Sequence, residues 1–431
     1  MLAISFPRMR LVVTIHEKTP QIAIDVIRAL NADHDAIEVR ADAFGDHAVD
    51  WNAIRKSTTK PIIATNRGRG HVDIDAALAA GIDFIDVEWP EEVEGNRVVL
   101  SHHDYEGMPD VEELLSKMRA SHIKIASTPK NFADNARLLA ALGNRGTTII
   151  GMGARGLYSR ILAPFFGSEF QFVSVDETRS AAPGQLTLQQ ALAIYGPDRR
   201  SLRANRIFAI AGNPAAHSGS PAIHNAIFRE RGIAAAYSIF ETDDFLDIAA
   251  PFARGERFAP NGLSVTAPFK EDALTFAESA GADIRTNARE AGAVNTLVRI
   301  GGRIVADNTD VDGFESLIKR TNARTAAIVG AGGTARAALV ALRRSGIEFT
   351  VFNRTPGKLD ALPLDRLSAF RGDLVINTLP RNVAVTLPIA GNIIEAAYGG
   401  ESHATFNGLD LLRAQAARQS ELFLEDVNEP G

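Results

Sequence analysis

The chain has 431 residues, enough for two or three cores, no cysteine, and a mild net charge of −6. Without thiols it holds no disulfide, thiolate zinc site or iron–sulfur cluster, and without a block of lysine and arginine it offers no footprint for nucleic acid. The N-terminal MLAISFPRMRLVVTI has neither a long apolar core nor a small-residue cleavage site, and no run is long enough to span a membrane, so a cytoplasmic protein is expected.

Short apolar strands alternate with helical patterns from the start, which predicts a parallel α/β architecture. Eight strands are predicted before residue 180: RLVVTI (10–15), AIEVRA (36–41), PIIATN (61–66), FIDVEW (84–89), RVVLSHH (97–103), HIKIAS (122–127), TTIIGMG (147–153) and FQFVSVD (170–176). Eight parallel strands suggest a closed (β/α)8 barrel of the TIM type. Helical patterns such as PQIAIDVIRAL, NFADNARLLAALG and LTLQQALAIYG fill most gaps, but EEVEGN is too short, so one barrel helix is expected to be missing. The polar, basic stretch YGPDRRSLRANR (195–206) reads as a linker to a second module.

Candidate chemistry in the barrel falls toward the C-terminal strand ends, where such folds build their sites. Glu38 and Arg40 share a strand face, Arg67 follows the third strand, His103 closes the fifth, and Lys124 sits inside the sixth. A lysine in an apolar strand needs a partner or a depressed pKa. It is either a structural ion pair with Glu38 or a nucleophile; with an imidazole and several arginines nearby, the group suggests Schiff-base chemistry on an anionic carbonyl compound.

The second module opens with IFAIAGNPAAHSGSPAIHNAIF, a strand, a polar turn and a helix that offers Ser218 and Ser220 at its start, either as a cap or as a carboxylate site. Lys270 follows a proline after the strand GLSVT. Asp310 follows the hairpin NTLVRIGGRIVADNTD, turned by Gly301 and Gly302; these two charges are either an exposed ion pair or part of a site. Next comes GAGGTARA, between the apolar run TAAIV and a helical pattern, the strand, glycine turn and helix context of a dinucleotide site. Gly330 allows the tight turn, Gly332 lets backbone approach phosphate, and Ala335 is small enough for close helix packing; Ala331, Gly333 and Thr334 complete the turn. Phe352, Asn353 and Arg354 end the next strand without an acidic residue for a free ribose hydroxyl, and Thr355 follows as a further candidate for the cofactor. Arg354 and Lys358 favour a 2′-phosphate, hence NADP.

EVRAD, the Arg67 segment, SHHD, KIA, Ser159 with Arg160, and AAPGQ ending at Gln185 resemble type I 3-dehydroquinate dehydratase, in this order over the first 195 residues. The resemblance implies that Lys124 forms an iminium with the substrate ketone and that His103 moves the protons. Arg160 and Gln185 would bind the carboxylate, while Glu38, Arg40 and Arg67 order the substrate hydroxyls and the lysine. Two positions depart from that family: His71 stands where a glutamate is usual, and Ala181 where a serine is usual, with Ser180 adjacent.

From 205 onward, SGSP, SVTAPFK, GAVNT, NTD, GAGGTARA, NRT and GLDLLRAQ resemble shikimate dehydrogenase. This implies that Ser218, Ser220, Thr266, Asn295, Tyr398 and Gln415 bind substrate, with Lys270 and Asp310 handling the proton that accompanies hydride transfer. Ser264, Phe269 and Val311 depart from the usual asparagine, histidine and glycine. Together the resemblances imply a barrel at 1–200 and a two-lobed module. That module comprises a substrate domain at 205–305 completed by 408–431, and a Rossmann NADP-binding domain at 306–407. The implied activity is dehydration of 3-dehydroquinate to 3-dehydroshikimate, then reduction to shikimate by NADPH, with no metal at either site and no nucleic-acid or membrane partner. Two alternatives stand beside it: a quinate or shikimate dehydrogenase with an impaired dehydratase, and a metabolite-sensing regulator without activity.

Overall fold

The computed structural model describes residues 9–425 apart from 66, 68–72, 91–94, 96, 144–145, 200–201, 381–382 and 398–402. The chain divides into two compact units, the first comprising 1–209, 215–242 and 256–259, the second 210–214, 243–255 and 260–431.

The first unit is built on eight strands: β1 (Arg10–Ile15), β2 (Ala36–Arg40), β3 (Ile62–Thr65), β4 (Phe84–Glu88), β5 (Val98–Asp104), β6 (His122–Ser127), β7 (Thr147–Gly151) and β8 (Phe170–Ser174). They run side by side in the order β7-β6-β5-β4-β3-β2-β1-β8, and the recorded pairings are parallel. The two ends of that row meet where Glu169 N–H donates to Thr147 O (3.1 Å) and Phe170 N–H to Thr148 Oγ1 (3.2 Å), which closes the barrel. The helices are α1 (Pro20–Ala29), α2 (Trp51–Lys56), α3 (Ile74–Ala79), α4 (Val111–Lys117), α5 (Phe132–Ala140), α6 (Leu157–Leu162) and α7 (Leu188–Tyr195). Among the described residues no helix separates β4 from β5. Every start but that of α6 is locally encoded: Thr19, Asp50, Asp73, Asp110 and Asn131 accept backbone N–H groups as caps, and Thr187 forms a capping box with Gln190.

The period of two along each strand decides what fills the barrel. Val12, Ala36, Ile63, Val99, Phe170 and Phe172 belong to one apolar cluster. Two residues further on, the same faces carry Thr14, Glu38, Thr65 and Ser101, all buried. The interior therefore turns from apolar to polar toward the C-terminal strand ends.

This unit also holds α8 (Ser220–Glu230), β10 (Ala235–Glu241) and the start of β9 (Arg206–Gly212). They pack on the barrel's helices: Ser238 Oγ donates to Tyr158 O (3.1 Å), Tyr158 Oη to Phe258 O (2.6 Å), and Arg229 Nη1 to Ile194 O (2.5 Å).

The second unit contains α9 (Leu246–Arg254), β11 (Gly262–Val265), α10 (Lys270–Ser279), β12 (Asp283–Ile284), α11 (Thr286–Ala291), β13 (Thr296–Ile300), β14 (Arg303–Asp307) and α12 (Asp310–Ile318). β11 and β13 are antiparallel, as are β13 and β14, whose hairpin turns at Gly301 and Gly302 with φ of 55° and 79°. Then follow β15 (Thr325–Val329), α13 (Gly333–Arg344), β16 (Glu348–Asn353), β17 (Leu362–Pro363), β18 (Leu374–Asn377), β19 (Asn392–Glu395) and α14 (Gly408–Phe423). The last five strands form a parallel sheet ordered β17-β16-β15-β18-β19. The order reverses at β15, so the loop leaving its C-terminal end stands at the topological switch point where open α/β sheets bind ligands. Among the described residues no helix is long and apolar enough to cross a membrane.

Candidate active sites

At the polar end of the barrel a cavity of about 90 Å³ is lined by Lys124, His103, Glu38, Arg40, Arg67, Arg160 and Gln185, so all seven barrel residues singled out in the sequence meet at one place. Lys124 is fully buried; its Nζ donates to the Asp86 carboxylate, lies 3.7 Å from Glu38 Oε1 and stands 4.4 Å from the centroid of the Phe172 ring. Burial drives its pKa down and the neighbouring Arg67 adds to this, against Asp86 and Glu38, which pull it up; the net direction is down. Arg67 Nη2 lies 3.5 Å from Asp86 and 3.9 Å from Glu38, and its Nη1 touches His103 Nε2.

Burial, then Arg67 and Lys124, hold the His103 pKa well below its ordinary value, so the imidazole is neutral. Glu38 accepts from Thr14 Oγ1 (2.8 Å) and Thr65 Oγ1 (2.9 Å). Burial pushes its carboxyl up, yet Lys124, Arg67 and Arg40 together bring its pKa down to about 2. Arg40 is held on Asp42 through Nε (2.8 Å) and Nη2 (2.6 Å). Gln185 Nε2 donates to Thr14 Oγ1 (3.2 Å). Arg160 is 2% exposed; its Nη2 reaches Phe172 O (3.3 Å), while Nε and Nη1 have no hydrogen-bond partner among the described residues. Burial without an anion lowers this guanidinium's pKa to about 10. Ala181 lines the cavity; Ser180 is exposed and donates to Ala182 O (2.9 Å). His71 lies outside the described residues.

Two acids escaped the sequence reading, Asp86 and Glu88 of β4. Their signal was available in FIDVE: an aspartate and a glutamate two apart in an otherwise apolar strand, the same spacing as Glu38 and Arg40.

In the second unit Lys270 opens α10 and Asp310 opens α12. Lys270 Nζ donates to Asp310 Oδ2 (2.5 Å) and Thr334 Oγ1 (3.1 Å), and both charged side chains are about nine-tenths buried. The exposed ion pair considered from the sequence is thus replaced by a buried one. Asn295 Nδ2 donates to Asp310 Oδ1 (2.9 Å) and to Thr309 Oγ1 (3.1 Å), and Thr309 Oγ1 donates to Gln415 Oε1 (3.0 Å). Gln419, one turn beyond Gln415, donates to Thr296 Oγ1 (2.7 Å) and accepts from Ser264 Oγ (2.7 Å). That second glutamine was missed, although two glutamines four apart among buried apolar positions of α14 mark a polar stripe. Thr266 is half-buried, with its N–H on Ala211 O (2.9 Å). Ser218 and Ser220 belong to the first unit, at the start of α8, where Ser220 N–H donates to Ser218 Oγ (3.2 Å). Tyr398 lies outside the described residues.

The glycine turn is tight and open on one side. Gly330 has φ of 110° and donates to Phe352 O (2.8 Å); a Cβ there would lie 2.5 Å from Thr378 Oγ1. A Cβ on Gly332 would point into open space, and α13 begins without a side-chain cap. At Gly333 a Cβ would come within 3.1 Å of Lys270 Cβ, so the glycine brings α13 against the lysine. Ala331 and Ala335 are buried; Arg354 and Thr355 are exposed; Asn353 Nδ2 bonds Thr355 O (3.0 Å). Lys358 Nζ lies 3.7 Å from Glu271 Oε1, a partner the sequence did not suggest.

Residues 11–200 match the family model for type I 3-dehydroquinase, and residues 210–297 match that for the shikimate dehydrogenase substrate binding domain. The chloroplastic bifunctional 3-dehydroquinate dehydratase/shikimate dehydrogenase of Arabidopsis thaliana is 29% identical over 392 residues, covering 78% of this chain and 63% of the relative. The pentafunctional AROM polypeptide of Komagataella phaffii is 30% identical over 375 residues, covering 76% of this chain and 24% of that polypeptide. The chain thus spans less than two thirds of the length of either relative. A solved structure of dehydroquinate dehydratase and shikimate dehydrogenase from S. pombe AroM is 24% identical with a TM-score of 0.40, covering 97% of this chain and 96% of that one. Through its barrel the chain is thus similar to type I 3-dehydroquinases, and after it to the substrate binding domain of shikimate dehydrogenases.

Proposed function

We propose that this protein dehydrates 3-dehydroquinate to 3-dehydroshikimate in the barrel and reduces 3-dehydroshikimate to shikimate in the second module, with NADP as its cofactor. The observation that carries the reading is the pairing, in one cavity, of a fully buried amine with a buried guanidinium two of whose nitrogens have no partner among the described residues. Such a cavity asks for a carboxylate and a carbonyl on the same small molecule.

In the barrel, Arg160 and Gln185 anchor the carboxylate, and the neutral Lys124 amine adds to the ketone and expels water to form an iminium. His103 takes a proton from the adjacent carbon, giving an enamine, and returns it to the departing hydroxyl, which leaves as water. Hydrolysis of the iminium releases product and restores the amine. Glu38, Arg40 and Arg67 orient the substrate's hydroxyls and the lysine.

In the second module, the Gly332 opening and the uncapped start of α13 suit a pyrophosphate, and Arg354, with no acid at the end of β16, suits a 2′-phosphate. Bound NADPH supplies the hydride. Asn295, Thr266 and Gln415 hold the substrate, while Lys270 and Asp310 deliver the proton to the carbonyl oxygen. The domain boundaries at 200, 305 and 407, and a cytoplasmic location, belong to the same reading.

Protein supplied with 3-dehydroquinate and NADPH tests both halves, because shikimate forms only if both sites work. Borohydride added during turnover is expected to trap substrate on the Lys124 peptide. No adduct and no dehydration would leave a dehydrogenase with a retired barrel; no turnover of either substrate would leave a metabolite sensor.

A further inference from the structure

We propose that Glu88 is the positioning residue that sets the tautomer and orientation of the imidazole of His103, an inference that rests on the dehydratase reading above. Strand β4 presents two acids on one face, and they have different occupations. Asp86 is taken by Lys124 and by Ser101 Oγ (2.6 Å). Glu88 makes two bonds to a single residue: His103 N–H donates to its Oε1 (2.8 Å), and its Oε2 lies 2.8 Å from His103 Nδ1. A carboxylate held on the backbone of the residue whose ring it also contacts fixes the ring's rotamer as well as its position. Being an acceptor, it requires a proton on Nδ1 and leaves the lone pair on Nε2, the nitrogen that meets Arg67 Nη1 inside the cavity.

The charged neighbours of the ring act in both directions, and burial with the two cations prevails. Arg67, after β3, and Lys124, on β6, oppose a second proton; Asp86 on β4 and Glu38 on β2 favour one, and Tyr105 stacks on the ring at 6.0 Å. In turnover the ring alternates between neutral and charged, and Glu88 is the one carboxylate among the described residues in hydrogen-bond contact with it. Asp86 is turned to the lysine instead, so its neighbour on the strand face is left to serve the histidine.

Nitrogen-15 NMR of the histidine ring in the full-length protein at pH 7 is expected to show the Nδ1–H tautomer for His103; an Nε2–H tautomer or an imidazolium overturns the proposal. Glu88→Gln is expected to lower the dehydration kcat about tenfold to a hundredfold with KM within about twofold. The acid limb of its kcat–pH profile should move to lower pH, because removing the negative charge makes the imidazolium less favourable. Borohydride trapping on Lys124 should persist, which shows that the barrel is folded and that the amine still reacts. Unchanged kcat and profile, or loss of the adduct together with turnover, would overturn the role. A wild-type protein that forms no adduct defeats the dehydratase reading instead, and the tautomer measurement still reports on the contact of Glu88 with His103.

Discussion

The two sites each join a lysine to a carboxylate, and their surroundings separate what each pair does. Lys124 has no solvent exposure and lies among Asp86, Glu38 and Arg67, so burial and a competing cation act on its charge from several sides. Lys270 sits at the first position of a helix, keeps a fringe of exposure, and is held between one aspartate and one threonine hydroxyl. The first arrangement weakens the hold on a proton, as a nucleophile requires; the second places one ammonium on one carboxylate beside the glycine turn. A lysine and an acid in contact therefore say little by themselves. The number of further charges, and how completely water is excluded, decide whether the pair acts as a nucleophile or as a proton carrier.

The largest expected effect tests the barrel half of that contrast. Lys124→Ala should abolish dehydration and the borohydride adduct while reduction of 3-dehydroshikimate continues; residual dehydration in a spectrophotometric assay would remove the nucleophile from the mechanism. Next, Lys270→Ala or Asp310→Asn should lower reductase turnover by about a hundredfold, the scale of a general acid–base group, and leave the dehydratase alone. If instead both activities fall together with thermal stability, the pair is structural and the contrast collapses.

A smaller change sharpens the cofactor side. Arg354→Ala should weaken NADPH binding about tenfold, because a charge-assisted contact to phosphate is worth roughly 1.5 to 3 kcal/mol, with a lesser effect on NADH. Titration of nucleotide fluorescence reads this, and equal loss for both nucleotides would place Arg354 away from the 2′-phosphate.

The smallest effect concerns pH. His103 has its folded pKa lowered below the ordinary 6.5, so the unfolded chain binds the proton more readily, and stability is lost as pH falls through that value. Glu38, lowered from 4.5 to about 2, contributes stability that is present above 4.5 and lost as pH falls toward 2. Melting temperature should therefore decline in two stages on acidification, and His103→Asn should flatten the first. A single stage below pH 4.5 in the wild type would count against the neutral buried imidazole.

Much of the barrel was legible. The predicted runs at 10–15 and 122–127 coincide with β1 and β6, and the other six agree to within two residues at each end. Runs buried on both faces and bounded by polar caps announce themselves without alignment. The glycine turn was legible for a similar reason, since only a strand, an open turn and a helix in immediate succession put free amides at a switch point, and Gly330 has the left-handed φ expected of such a turn.

The partners were less legible than the players. Glu38 was the acid expected for Lys124, yet Asp86 makes the direct contact; Arg40, expected beside the lysine, is tied to Asp42. Asp86 and Lys124 are 38 residues apart on strands separated by β5, so their meeting depends on the stagger and closure of the barrel, which a period of two does not encode. The same holds for residues 215–242: in the chain they follow a linker, yet they form a compact unit with the barrel through Ser238 and Tyr158. Local sequence determined which residues face inward, where helices begin and where backbone amides are left for an anion, because those follow from periodicity and capping within a few residues. Which charges touch was decided only by the folded structure, because electrostatic contact and desolvation depend on distances between strands that are remote in the chain.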